Sequence, residues 1–119
     1  MKKLILSLVA LLSGCSILNV ATFDGNQYGL VNSIRTESSQ NICTKEAIES
    51  LYQESLTFKN YSQYLPHNDL NYKMASDLFT LVDELHQKVT INETYCKLKL
   101  NTIEKSAERI QKTLGGETK

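Results

Sequence analysis

The sequence predicts a mainly α protein: a small up-down-up three-helix bundle after a signal peptide and a polar tether that carries a candidate β-hairpin. Three observations lead there. An apolar leader opens the chain, a Ser/Asn/Thr/Gln-rich stretch follows it, and from Thr44 onward apolar residues recur at helical spacing. The divisions are residues 1–14, a signal peptide; 15–42, the tether; 43–116, the bundle; and 117–119, a tail.

Lys2 and Lys3 form a positive start, and Leu4 to Leu12 an apolar run far shorter than the roughly 20 residues a bilayer-spanning helix needs. The run ends in Leu12-Ser13-Gly14-Cys15, with small residues before the cysteine. This segment resembles the lipobox of bacterial lipoprotein precursors. The resemblance covers the first 16 residues. It implies a diacylglycerol on the Cys15 thiol, cleavage between Gly14 and Cys15, and acylation of the new amine. Several acyl chains on one residue make a stable anchor, because each buried methylene contributes about 0.8 kcal/mol. Ser16 follows the cysteine where an Asp would retain the protein at the inner membrane. By similarity to Gram-negative lipoproteins, that implies an outer-membrane location facing the periplasm.

The full chain has 13 basic and 13 acidic residues. Losing Lys2 and Lys3 with the leader turns the mature chain slightly acidic. It has no basic stripe, which argues against a nucleic-acid partner. No polybasic run adjoins Cys15, which argues against headgroup recognition by charge.

Within the tether, Asn19 to Phe23 and Tyr28 to Val31 flank Asp24-Gly25-Asn26-Gln27. Asp-Gly between β-prone runs is a hairpin signal. A lone hairpin is marginal in water, so a flexible tether is the alternative. Thr44 is placed to cap the first predicted helix, with Glu46 near its positive end. Ala47, Ile48, Leu51, Phe58, Tyr61 and Leu65 approximate one face, with Glu54 where a core residue is wanted. Pro66 ends that helix. Asn68 or Asp69 caps the second, whose stripe reads Leu70, Met74, Leu78, Leu81, Leu85 and Val89, with Val82 beside it. Thr90 and Glu93 are spaced as a capping box for the third. That helix carries Cys96, Leu100, Ile103, Ala107, Ile110 and Leu114 at alternating spacings of four and three, and Gly115-Gly116 closes it.

With Cys15 lipidated, Cys43 and Cys96 remain for an oxidising compartment, so a disulfide is expected. In an up-down-up bundle the first and third helices start at the same end. Cys43 just precedes one and Cys96 lies in the first turns of the other, so pairing and topology support each other.

Catalytic chemistry is not legible in this sequence. His67 and His86 are the only histidines, neither at metal-ligand spacing from the other. The carboxylates are scattered singly on helix faces, and no nucleophile elbow, phosphate loop or dinucleotide fingerprint occurs. The expectation is a non-enzyme with no cofactor beyond the lipid on Cys15, no metal and no small-molecule substrate. Two segments are candidate protein-contact surfaces. Tyr61, Tyr64 and Tyr72 gather around Leu65-Pro66-His67 and serve either a partner or the end of the core. Tyr28 to Ile34 is the other. Because the tether is expected to join the bundle at its disulfide end, the tyrosine corner is expected to face away from the membrane.

The leader, tether and compact helical part together are loosely similar to the outer-membrane spanin lipoproteins of tailed phages, which pair with an inner-membrane partner to disrupt the outer membrane. The familiar small type is Pro-rich, whereas Pro66 is the only proline here. The function expected is therefore an interaction or tethering lipoprotein of the periplasm. A spanin-type lysis role is one alternative, and exclusion or inhibition of a membrane receptor or secretion component is another.

Overall fold

The computed structural model describes residues 23–116, and these form four helices with no strand among them. Helix α1 is Gly25–Ser39, α2 Lys45–Tyr64, α3 Asp69–His86 and α4 Glu93–Leu114. Short connections make consecutive helices antiparallel. Each helix packs on its chain neighbours and α4 returns to pack on α1, while the diagonal pairs α1–α3 and α2–α4 stay apart. The result is an up-down-up-down ring of four, not three.

The fourth member is α1, in the stretch expected to be a tether with a hairpin. The hairpin expected over Asn19 to Val31 is corrected from Phe23 onward; residues 19–22 of that expectation lie outside the described part. Asp24, expected in a turn, is the N-cap of α1: its Oδ1 accepts from the Gln27 amide at 2.8 Å. Asp serves equally well in both roles, so the Asp-Gly pair alone does not choose between them. Gln27, Val31, Ile34 and Ser38 are the buried positions of α1, spaced four, three and four. Only two of the four are apolar, which is why the period is faint in the sequence. The polar two are satisfied: Gln27 Oε1 accepts from Asn68 Nδ2 at 2.6 Å, and the Ser38 hydroxyl donates to the Ile34 carbonyl at 2.7 Å.

Thr44 caps α2 as expected, its Oγ1 accepting from the Ala47 amide at 3.1 Å. The buried face of α2 is Ile48, Leu51, Ser55, Phe58 and Ser62. Ser55 therefore occupies the core position that sequence spacing assigned to Glu54, and Tyr61 gives way to Ser62. The N-cap position of α3 is Asn68, but its side chain makes no cap bond. Its amide instead donates to Gln27 and to the Ser62 carbonyl, and its Oδ1 accepts from Asn71.

The α3 stripe is rotated from expectation. Ala75, Leu78, Val82 and Leu85 are buried, Met74 and Leu81 flank them, and Leu70 and Val89 are exposed. At about 100° per residue, Leu70 lies about 80° around the helix from Leu78, and Val89 falls past the helix end. The capping box is also corrected: Asn92, not Thr90, caps α4, accepting from the Tyr95 amide at 2.9 Å. The α4 stripe of Cys96, Leu100, Ile103, Ala107 and Ile110 is buried as read, with Leu114 packed against it.

One contiguous core runs through all four helices. At the α1–α4 seam, Gly115 lies under the Tyr28 ring; a Cβ there would sit 3.3 Å from the ring. The same seam carries a polar clasp. Arg35 Nε donates to Gln111 Oε1 at 2.6 Å, and both Arg35 and Gln111 donate to Asn32 Oδ1.

If α1 is an integral part of this core, Ile34→Ala lowers the unfolding free energy by about 2–5 kcal/mol. Asp24→Ala costs about 1–2 kcal/mol through the lost cap. Urea unfolding of the mature chain followed by circular dichroism measures both. Unchanged midpoints would return residues 25–39 to the status of a tether.

Candidate functional site

The cysteines meet as the sequence expects. Cys43, just before α2, is bonded to Cys96 in the first turn of α4, with Cα atoms 6.2 Å apart and a sequence separation of 53. On the chain-entropy model, closing such a loop contributes about 4 kcal/mol. Cys96 is fully buried on the core stripe and Cys43 is partly buried against it. The bond ties the α1–α2 connection to the start of α4 at one end of the ring.

The other end holds the tyrosine corner, where the three rings differ in setting. Tyr61 is half-buried, and its hydroxyl donates to Asp24 Oδ1 at 2.9 Å. It braces the α1 cap against the last turns of α2. Tyr64 is 86% exposed, while Tyr72 is only half-exposed. The buried Gln27–Asn68 pair lies at this end as well, joining the start of α1 to the α2–α3 corner. Because α1 starts here, the chain enters the bundle at the tyrosine end. The expectation that it joins at the disulfide end is thereby corrected. An added antiparallel helix moves the entry point by one helix length. The 15 helical residues of α1 also shorten the stretch available as a tether. Cys15 itself lies outside the described residues.

Two further groupings carry chemistry that the sequence spacing did not single out. Along the α2–α3 seam, Tyr52 stacks on His86 with ring centroids 3.8 Å apart and planes 10° apart, and meets Phe79 at 5.5 Å. The Lys59 ammonium sits 4.9 Å from the Phe79 centroid. Glu49 Oε1 and His86 Nε2 are 2.8 Å apart. Hydrogen bonds from Gln53 and then from His86 hold the Glu49 carboxyl below its ordinary value. His86 is thus one rung of a seam. The available signal was spacing: Glu49, Tyr52 and Lys59 lie three and seven apart on α2, and Phe79 and His86 seven apart on α3.

Between α1 and α2 lies an open groove lined by Asn32, Thr36, Glu37, Ser50 and Glu54, among others. Glu54 is displaced from the core stripe but still half-buried, and its Oε1 is enclosed without a hydrogen-bond partner. Burial pushes its carboxyl up to about 8, helped by a hydrogen bond and the like charge of Glu37. Two carboxyls sharing a groove between helices can hold one proton between them. Among the described residues, no group of three or more His, Cys, Asp or Glu is arranged to hold a metal. No protein-family model, no curated protein and no solved structure matches the chain.

Two outcomes follow. Cys43→Ser or Cys96→Ser lowers stability by roughly 2–5 kcal/mol in denaturant unfolding, and the wild type runs as a compact monomer on non-reducing gels. Free thiols reactive to alkylation in the folded protein would contradict the bond. For Glu54, the folded chain holds a proton that the unfolded chain releases near pH 4.5. Stability therefore falls as pH rises from about 4.5 to about 8, then levels off. Glu54→Gln flattens that slope and raises the melting temperature at pH 8 relative to wild type. A wild-type slope left intact in the variant would remove Glu54 as its source.

Proposed function

We propose that the protein is a non-enzymatic lipoprotein, anchored through Cys15 in the outer membrane and acting in the periplasm as an interaction or tethering module. The observation that carries this reading is Leu12-Ser13-Gly14-Cys15 behind a Lys-Lys start and a short apolar run. A bundle with a continuous apolar core and a covalent bond at one end suits a rigid spacer between a bilayer and a partner. Its longest helix, α4, has 22 residues and is about 33 Å long at about 1.5 Å per residue.

In this reading the disulfide end is the one presented to a protein partner. Ile42, Val89 and Leu98 are exposed there. Leu98 also lines a shallow groove with Lys88, Thr90, Asn92, Thr94 and Tyr95 at the α3–α4 connection. Exposed apolar side chains rimmed by polar ones are the usual dress of a contact surface. The tyrosine corner, at the entry end, faces the anchor in this reading.

Radiolabelled palmitate enters the wild-type protein and fails to enter Cys15→Ser, which stays uncleaved or leaves the membrane fraction. Normal membrane retention of Cys15→Ser without label would overturn the anchored reading.

A further inference from the structure

The end at which the chain enters the bundle carries three exposed apolar or aromatic side chains from three segments. Phe23, just before α1, is 63% exposed; Tyr64, the last residue of α2, is 86% exposed; Leu70, in the first turn of α3, is 68% exposed. Hydrogen bonds inside the bundle fix these segments at one end. Tyr61 bonds Asp24 and Asn68 bonds Gln27, so the start of α1 lies against the corner between Tyr64 and Leu70.

Seven residues separate Cys15 from Phe23. Fully extended, eight Cα steps span about 28 Å at most. The anchor therefore keeps this end within one tether length of the bilayer, whatever the orientation of the rest. Confinement of that kind raises the effective concentration of the surface so far that a weak contact is populated. Aromatic and aliphatic side chains together are the composition that settles at a headgroup boundary. The polar groups here are compatible with it. The Asp24 carboxylate is engaged by Tyr61 and by the Gln27 amide, and Lys73 pairs with Asp77 at 3.2 Å. Asp69, also in the first turn of α3, is acidic and favours a surface of zwitterionic headgroups over a strongly anionic one.

We propose that the Phe23, Tyr64 and Leu70 end of the bundle docks onto the lipid surface that holds Cys15, so that the bundle stands on the membrane with its disulfide end outward. This rests on the anchored reading above and extends it from attachment to orientation.

The chain has no tryptophan, so Tyr64→Trp, Leu70→Trp and Val89→Trp each give a single reporter. All three sites are exposed, and helical circular dichroism checks that each variant folds. The mature chain from Cys15 is joined through its Cys15 thiol to a maleimide lipid in phosphatidylcholine vesicles, with or without brominated acyl chains. Cys43 and Cys96 are bonded to each other, leaving that thiol as the point of coupling. The acylated protein purified from cells is measured in parallel. Docking predicts blue-shifted emission and at least twofold quenching by brominated lipid for Tyr64→Trp and Leu70→Trp, with Val89→Trp unquenched. Equal, weak quenching at all three sites overturns the proposal. So does a blue shift at Tyr64→Trp without quenching, which would assign this end to a protein surface such as a second copy. If the cellular protein carries no acyl chain, the anchored reading fails by itself. The maleimide-coupled chain still decides whether this end has affinity for lipid.

Discussion

The return of α4 onto α1 is the contact on which the rest of the structure depends. Without it, α2, α3 and α4 would form an open three-helix layer with one side of α4 in water. With it, the apolar stripes of four helices meet in one core, and each of the 14 buried apolar residues has neighbours on all sides. The seam must therefore accept polar residues as well as apolar ones. Gln27 and Ser38 are buried on α1, and each is hydrogen-bonded. Ser38 is satisfied within its own helix, but Gln27 is paired with another segment and specifies one register, because any slip would leave it unpaired. The Gln27–Asn68 bond and the Arg35, Asn32 and Gln111 clasp thus act as register marks at two places along α1.

The same logic separates the two ends of the molecule. One end is held by a covalent bond between a loop and a helix start. The other is held by a knot of side-chain hydrogen bonds around Gln27, Asn68 and Tyr61, with the apolar side chains left outside. The groove between α1 and α2 holds a strained polar group. There an enclosed carboxyl oxygen of Glu54 lacks a partner, and burial beside Glu37 pushes that carboxyl up.

Legibility in the sequence followed the chemical purity of each stripe. In α4 every inward position is apolar or a cysteine at spacings of four and three, and the reading from Cys96 to Ile110 stands residue by residue. Cys43 and Cys96 were legible as a pair because few cysteines remained and their positions suited antiparallel helices. In α2 a serine took the place expected for a larger residue, which shifted the face from Tyr61 to Ser62. Around α3, apolar residues that the core does not use, Leu70 in its first turn and Val89 beyond its end, made the stripe look straighter than the helical angle allows. In α1 the inward positions are half polar, and Asp24-Gly25 carries two meanings. Hydrophobic periodicity could not register a helix half of whose inward positions are polar, and the missing helix then moved the expected entry point to the other end of the bundle. The Tyr52–His86 seam and the Glu37–Glu54 groove depend on which faces meet, which only the packing of α1, α2 and α3 determines.

An even number of helices also decides how the molecule would carry a pull. The chain enters and leaves the ring at one end, and both connections at the far end, residues 40–44 and 87–92, are closed turns. If the chain is anchored as proposed, a partner that gripped either turn and drew it away from the membrane would pull against the anchor along the helix axes. At that end the Cys43–Cys96 bond joins the first connection to the start of the last helix, so α1, α2 and α4 are tied together there. The covalent path from the entry end to either far turn then runs through α1 alone, because the Cys43–Cys96 bond bypasses α2 and α3. Along that path, the side chains that seat α1 between its two neighbouring helices are what keep it from being drawn out end to end.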